Sequence, residues 1–133
     1  MSALVLDCSV AVAWLLGDEG SPEADAVLDR VVASGAVAPD LWWAEVRNVL
    51  VMSERRGRLT VAGTATAQAE ISALDVRLDY SPESALVLRL AREHRLTVYD
   101  SLYLELAIRE RRPLATLDRK LRLAAEAEGV QHG

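Results

Sequence analysis

Short apolar runs set between stretches of helical periodicity narrow the folds open to this chain more than any other feature. Ala3-Leu4-Val5-Leu6 is apolar and stops at Asp7, which reads as a buried strand. A helical stretch follows from about Val10 to Leu16, and Gly17-Asp18-Glu19-Gly20 reads as a turn. Ser21-Pro22-Glu23 carries the marks of a helix start: a hydroxyl cap, Pro at the first helical position and an early acid. That helix is expected to reach about Ser34 and stop at Gly35. Val37-Ala38 suits a second, very short strand, and Pro39-Asp40 opens a helix from Leu41 to about Arg56. Thr60 is placed to cap a helix reaching about Leu74. Val76-Arg77-Leu78 alternates as a strand does, and Ser81-Pro82-Glu83 repeats the earlier start signal for a helix to about His94. Thr97-Val98 suggests a strand remnant, followed by a helix from Asp100 to about Arg111. Leu114-Ala115-Thr116-Leu117 is strand-like, and Asp118 begins a last helix that ends before Gly129. Strands alternating with helices in this order predict an α/β fold, with a short, mostly parallel central sheet flanked by helices.

At 133 residues the chain fits a single domain, and no linker, repeat or low-complexity segment divides it. Hydrophobic residues make up 51% and charged residues 26%, which excludes a disordered chain. The net charge of −5 argues against a basic nucleic-acid coat protein. It leaves a nuclease open, because carboxylates that hold cations lower the formal charge and the bound ion restores it locally. Basic residues gather at Arg109, Arg111, Arg112, Arg119, Lys120 and Arg122, and again at Arg55, Arg56 and Arg58. Either cluster suits solvated helix ends or contacts to phosphate. The single cysteine, Cys8, permits no internal disulfide and points to a reducing compartment. The apolar start lacks a basic leader and is broken by Asp7. No apolar run approaches the roughly 20 residues of a membrane span. A cytoplasmic protein with no membrane contact is the expectation. His132 sits beside the C-terminal residue, and the last residues are expected to form a loose tail.

Three acids fall where a parallel sheet gathers its ligands. Asp7 follows the first strand, Asp118 follows Leu114–Leu117, and Asp100 opens a helix just after Thr97-Val98. The carboxyl ends of parallel strands form one edge, and ligands bind in the crevice there. Glu45 is a fourth. On its helix, positions 42, 45, 46, 49 and 50 share one face, so Glu45 lies within the stripe Trp42, Val46, Val49 and Leu50. A carboxylate buried there needs a cation, either a metal or a core arginine. Each acid has another reading: Asp100 and Asp118 as helix N-caps, Asp7 as a partner of turn amides. A shared hard divalent cation accounts for all four at once. Mg²⁺ and Mn²⁺ prefer oxygen ligands. The short, rigid Asp suits direct coordination, at Asp7 and Asp100, while Glu45 on its longer stem suits a water or a second ion. Such a site supports phosphodiester hydrolysis. Neither His94 nor His132 lies beside a second histidine or a cysteine in the sequence, which disfavours zinc, and nucleotide-cradle glycine motifs are absent.

Four segments together carry a resemblance. Leu4-Val5-Leu6-Asp7-Cys8-Ser9-Val10 resembles the first motif of PIN domains. Pro39 to Leu50, with Glu45 and Asn48 on one helix, is similar to the second. Tyr99-Asp100-Ser101-Leu102-Tyr103-Leu104-Glu105-Leu106-Ala107 is similar to the third, and Leu114-Ala115-Thr116-Leu117-Asp118-Arg119-Lys120-Leu121 to the fourth. The motifs occur in the family's order from Leu4 to Leu121. Size and motif detail resemble the VapC toxins of bacterial toxin–antitoxin pairs. The resemblance implies a PIN-like three-layer fold and an Mg²⁺- or Mn²⁺-dependent endoribonuclease with Asp7, Glu45, Asp100 and Asp118 as its acidic set. It also implies a homodimer inhibited by a cognate VapB-type antitoxin, with Ser9 and Thr116 as hydroxyl donors to the acids. A receiver-like signalling domain fits less well, because a lone Asp7 stands where receivers carry adjacent acids. A PIN-like module that binds without cutting is a further alternative. Trp43, next to Trp42 of the apolar stripe, is expected either beneath a neighbouring helix or at an interface with the antitoxin or second subunit.

Overall fold

The structure is a computed structural model that describes residues 3–17 and 21–133. The turn expected at Asp18-Glu19-Gly20 lies outside the described residues. Eleven elements follow in order: β1 (Leu4–Leu6), α1 (Cys8–Leu16), α2 (Pro22–Ser34), β2 (Ala36–Pro39), α3 (Leu41–Arg55), α4 (Val61–Ser72), β3 (Val76–Asp79), α5 (Ser84–His94), α6 (Val98–Glu110), β4 (Leu114–Ala115) and α7 (Arg119–Ala127). The four strands form one all-parallel sheet in the order β3-β2-β1-β4. Parallel neighbours need long crossovers, and helices supply each of them. Side chains alternate between the two faces of a strand. Every residue of β1 and β2 is buried, so helices cover the sheet on both faces. The fold is α/β and PIN-like.

Local chemistry sets most boundaries. Ser21 caps α2 through its side chain, which accepts the Ala24 N–H at 3.1 Å, with Pro22 at the first position. Thr60 caps α4 in the same way through Gly63. Gly35 ends α2 at φ +76°, where a Cβ would meet Asp75; glycine alone adopts this bend at no cost. Two expectations fail for local reasons. Thr97-Val98 is not a strand: Thr97 caps α6, its Oγ1 accepting the Asp100 N–H at 3.1 Å, and Val98 is already helical. Ser81-Pro82-Glu83 does not cap α5 at its serine. The Ser81 N–H bonds to Asp79 Oδ2 at 3.3 Å in the turn after β3, and α5 begins at Ser84.

The C-terminus also differs from expectation. Leu114 donates its N–H to Gln131 O at 2.9 Å, and Gly133 donates to Leu114 O at 3.0 Å. His132 forms a bridge with Leu114 and bonds through its ring to Glu23. The tail therefore covers the outer edge of β4, where unpaired strand groups would otherwise face water. Beneath α6, the fully buried Glu105 is neutralised by Arg109 at 2.6 Å, and Arg109 also reaches Asp79 Oδ2 at 2.7 Å. This tie locks α6 to the end of β3.

Candidate active site

Strand order reverses direction from β1, with β2 on one side and β4 on the other, and that switch point leaves a crevice at the strands' carboxyl ends. Asp7 leaves β1 there in extended conformation, and its N–H bonds to Ala115 O of β4 at 3.0 Å. Its side chain is only 6% exposed. Oδ2 accepts the Thr116 hydroxyl at 2.6 Å and the Ser9 hydroxyl at 2.7 Å. Each hydroxyl is itself oriented. Thr116 Oγ1 accepts the Asp118 N–H and Ser9 Oγ accepts the Leu117 N–H, both at 3.0 Å. A hydroxyl has one proton to give; with backbone amides on their acceptor side, both protons go to Asp7. Ser9 and Thr116, expected as hydroxyl donors to the acids, both donate to Asp7. Burial raises the Asp7 pKa above the ordinary carboxylate value, against the pull of Thr116 and Ser9, and the charge of Asp118 adds to the rise.

The other three acids arrive on separate elements. Glu45 projects from the buried stripe of α3, half-buried, and accepts a hydrogen bond from the Tyr103 hydroxyl of α6. Burial raises its pKa, and the charges of Asp7 and Asp100 push the same way. Asp100 stands in the first turn of α6, half-buried. Its pKa is also raised, by burial first, then by Asp7 and Asp118, with Lys120 opposing. Asp118 is exposed and caps α7, Oδ1 accepting the Leu121 N–H at 2.9 Å. Asp7 and Asp100 thus each lie within reach of the charges of the other three carboxylates at one edge of the sheet. The positive ends of α1, α6 and α7 begin among them.

Several alternative readings are thereby decided. Asp100 is not an N-cap, because Thr97 holds that position. Asp118 is one, through a single oxygen. Glu45 has no arginine partner among the described residues. Its partner is Tyr103, fully buried and singled out by no pattern in the sequence except its place three residues after Asp100, on the same helical face. The expectation for the basic cluster divides. Arg109 pairs with Glu105 and Asp79, Arg112 with Glu110 and Ala3 O, and Arg122 with Glu23 and Thr116 O. These three support the fold. Arg119 and Lys120 are exposed in the first turn of α7 beside Asp118.

An open groove of about 690 Å³ runs along α3 from Glu45, bounded on its far side by Tyr99 of α6. Trp43 stands in its wall, 54% exposed and not covered by a helix, with the Arg47 guanidinium 4.1 Å over its ring. Trp42, by contrast, is in the core.

The family model described as the PIN domain matches residues 4–127. The chain belongs to the PIN domain family. Its fold is similar to a solved structure, PAE2754 from Pyrobaculum aerophilum, with a TM-score of 0.72 and 23% identity, covering 92% of this chain and 84% of that one. No curated protein matches. PIN domains are generally nucleases and typically bind divalent metals. The acids gathered at this edge offer only carboxylate oxygens, the hard donors that Mg²⁺ and Mn²⁺ prefer. Cys8, next to Asp7, is a poor soft ligand, its thiol pushed up to about 12 by burial and by the charges of Glu45 and Asp7. The histidines bond elsewhere, His94 to Glu128 and His132 to Glu23. His94 does have acidic neighbours: Glu93 directly precedes it in the chain, and the end of α7 brings Glu128 to both. Arg89 already neutralises both glutamates, at 2.7 and 3.3 Å.

Proposed function

We propose that this PIN domain is a divalent-metal-dependent endoribonuclease, the toxin component of a VapC-type toxin–antitoxin pair. The observation that carries the reading is the set of buried and half-buried carboxylates at the β1/β4 switch point. Their pKa values rise through burial and mutual repulsion, and no arginine or lysine pairs with Asp7 or Glu45 among the described residues. Like charges are held this close where a cation is meant to join them.

Asp7 and Asp100 are the direct ligands in this account, and Asp118 closes the set with the oxygen not engaged in capping. When bound, Mg²⁺ or Mn²⁺ supplies polarisation of the phosphoryl oxygen and a lowered pKa for the attacking water. Ser9 and Thr116 fix the orientation of the Asp7 carboxylate and favour its ionised form against the effect of burial. Tyr103 fixes Glu45 by donating to Oε1, which leaves Oε2 to take the proton of the attacking water. The raised pKa of Glu45 makes it a better proton acceptor than an ordinary glutamate. A homodimer and a VapB-type antitoxin are the partners this reading carries, in a cytoplasmic setting. No helix among the described residues is long and apolar enough to cross a membrane.

The test is cleavage of a mixed RNA pool by purified protein in Mg²⁺ or Mn²⁺, beside EDTA and a folded Asp7→Asn variant. Cleavage lost in both controls is the expected result. Cleavage that survives both would overturn the site, and binding of RNA without cleavage under any condition would favour the non-cutting module.

A further inference from the structure

Thr116 is held at two points. Its hydroxyl lies on Asp7, and its carbonyl is held separately. The ladder between β1 and β4 ends at the Leu6–Ala115 pair, so Thr116 O lies one residue past the last pairing. A carbonyl there, on a residue this buried, needs another donor. Arg122 supplies it: Nη2 donates to Thr116 O at 2.7 Å and to Glu23 Oε1 at 2.6 Å. Nη2 carries two hydrogens, one for each acceptor. Glu23, in the first turn of α2, also meets the His132 ring at the same oxygen. Thus α2 and the residues after α7 anchor the guanidinium. The Arg122 N–H meanwhile bonds to Asp118 O at 3.0 Å as α7 begins. Backbone and side chain of one residue therefore close the segment 116–118, which carries one acid and the hydroxyl that orients another.

We propose that Arg122 is a positioning residue of the carboxylate site: by holding the carbonyl of Thr116 it keeps the Thr116 hydroxyl on Asp7. The role rests on the metal-site reading above, and it runs from Arg122 through Thr116 to Asp7 Oδ2. Packing alone does not call for an arginine here. Its Nε is buried with no partner among the described residues, a loss that a methionine of similar reach would avoid. The ion pair with Glu23 is partly exposed on both sides and contributes little by itself. Charge does not call for an arginine either, since a cation this near the acids opposes the entry of another. Glu23 offsets that repulsion and leaves the donors in place. The sign of the effect therefore separates the two roles. Removing a positive charge beside a cation site favours the cation, whereas removing a residue that orients a ligand weakens it.

The test is calorimetric titration of Mn²⁺ into metal-free protein at neutral pH for wild type, Arg122→Met, Thr116→Val and the double variant, with Arg122→Gln as a second substitution. Met and Gln are both good helix formers, and circular-dichroism melts establish that each variant is folded at the titration temperature. Arg122→Met and Arg122→Gln should each weaken Mn²⁺ binding about 3- to 30-fold. In the Thr116→Val background, Arg122→Met should cost less than about two-fold, since two steps of one path are not additive. An arginine that only braced the fold would lower the melting temperature and leave the affinity of the folded protein alone. Unchanged or tighter binding in both Arg122 variants overturns the proposal, and so does an undiminished loss in the Thr116→Val background. Asp7→Asn is the control for the reading beneath it. Wild-type affinity in Asp7→Asn would mean that the cation site itself is misplaced, and the role of Arg122 would fall with it. Binding lost in Asp7→Asn but intact in both Arg122 variants would remove the positioning role alone.

Discussion

Asp7 holds a carboxylate where little water can solvate it, and two oriented hydroxyls and the backbone of Cys8 compensate it only in part. Thr116 is the more consequential of the pair, because it also accepts the Asp118 N–H and so links two of the acids. Thr116→Val should therefore weaken Mn²⁺ binding by about 10- to 100-fold, while Thr116→Ser, which retains the hydroxyl, should restore most of it; calorimetric titration of both variants checks this. Asp7 was legible in the sequence because it sits directly after an apolar run that ends at the sheet edge, whereas Thr116 came forward only through the resemblance to PIN domains. Tyr103 was not legible. Its bond to Glu45 joins residues from two helices distant in the chain, and no local periodicity encodes which polar group a buried acid will meet. Glu105 escaped for the same reason: inside an apolar helix face it reads as an exception, and only the approach of Arg109 and Asp79 explains it.

At the scale of elements, α7 does two things with one residue. Asp118 caps the helix with Oδ1 and contributes its charge to the pocket. The two roles separate by mutation. Asp118→Asn keeps a good capping side chain and should leave thermal stability nearly unchanged while removing cleavage. Asp118→Ala should lose cleavage and also about 1 kcal/mol of stability, seen as a melting temperature lower by about 3–5 °C. An Asn variant that cuts normally would show that the cap is the whole of its role. Element boundaries were readable wherever a cap lay directly before a periodic stretch, as at Ser21 and Thr60. They failed where extended residues did another job. Thr97-Val98 has the β-branching of a strand, but the Thr97 hydroxyl caps α6 and the chain turns helical at once. The C-terminal residues looked too few and too polar to matter, yet backbone bonds to Leu114 need no particular side chains.

For the whole molecule, the carboxylates divide into two groups of opposite sign. Asp7, Glu45 and Asp100 have raised pKa values, so folding disfavours their ionised forms. Between the unfolded value and the raised folded value the native state binds more protons, and metal-free stability falls as pH rises through that window. Glu23, Asp79 and Glu128 are held below their ordinary value by hydrogen bonds from His132, Arg109 and His94. Their stabilisation is present above the ordinary value and is lost as pH falls through the depressed one. The metal-free protein should therefore melt highest at mildly acidic pH, between the two windows. Adding Mn²⁺ at neutral pH should raise the melting temperature, and adding it at low pH should not, because the ligands must be deprotonated. Asp7→Asn should melt higher than wild type without metal at neutral pH and lose most of the metal's effect. Scanning calorimetry across pH, with EDTA and with Mn²⁺, reads all of these. A melting temperature that climbs steadily from acid to neutral pH without metal would mean the pocket's acids are not strained.

The most direct measurement is calorimetric titration of Mn²⁺ into metal-free protein at neutral pH, comparing wild type, Asp7→Asn and Glu128→Gln. The two substitutions address the two places where acids gather: the switch point at β1 and β4, and the Glu93–His94–Glu128 group that Arg89 already neutralises. The account predicts that wild type and Glu128→Gln bind alike and that Asp7→Asn loses at least about ten-fold in affinity. Equal binding by Asp7→Asn, or loss of binding in Glu128→Gln, would place the cation elsewhere and contradict the account.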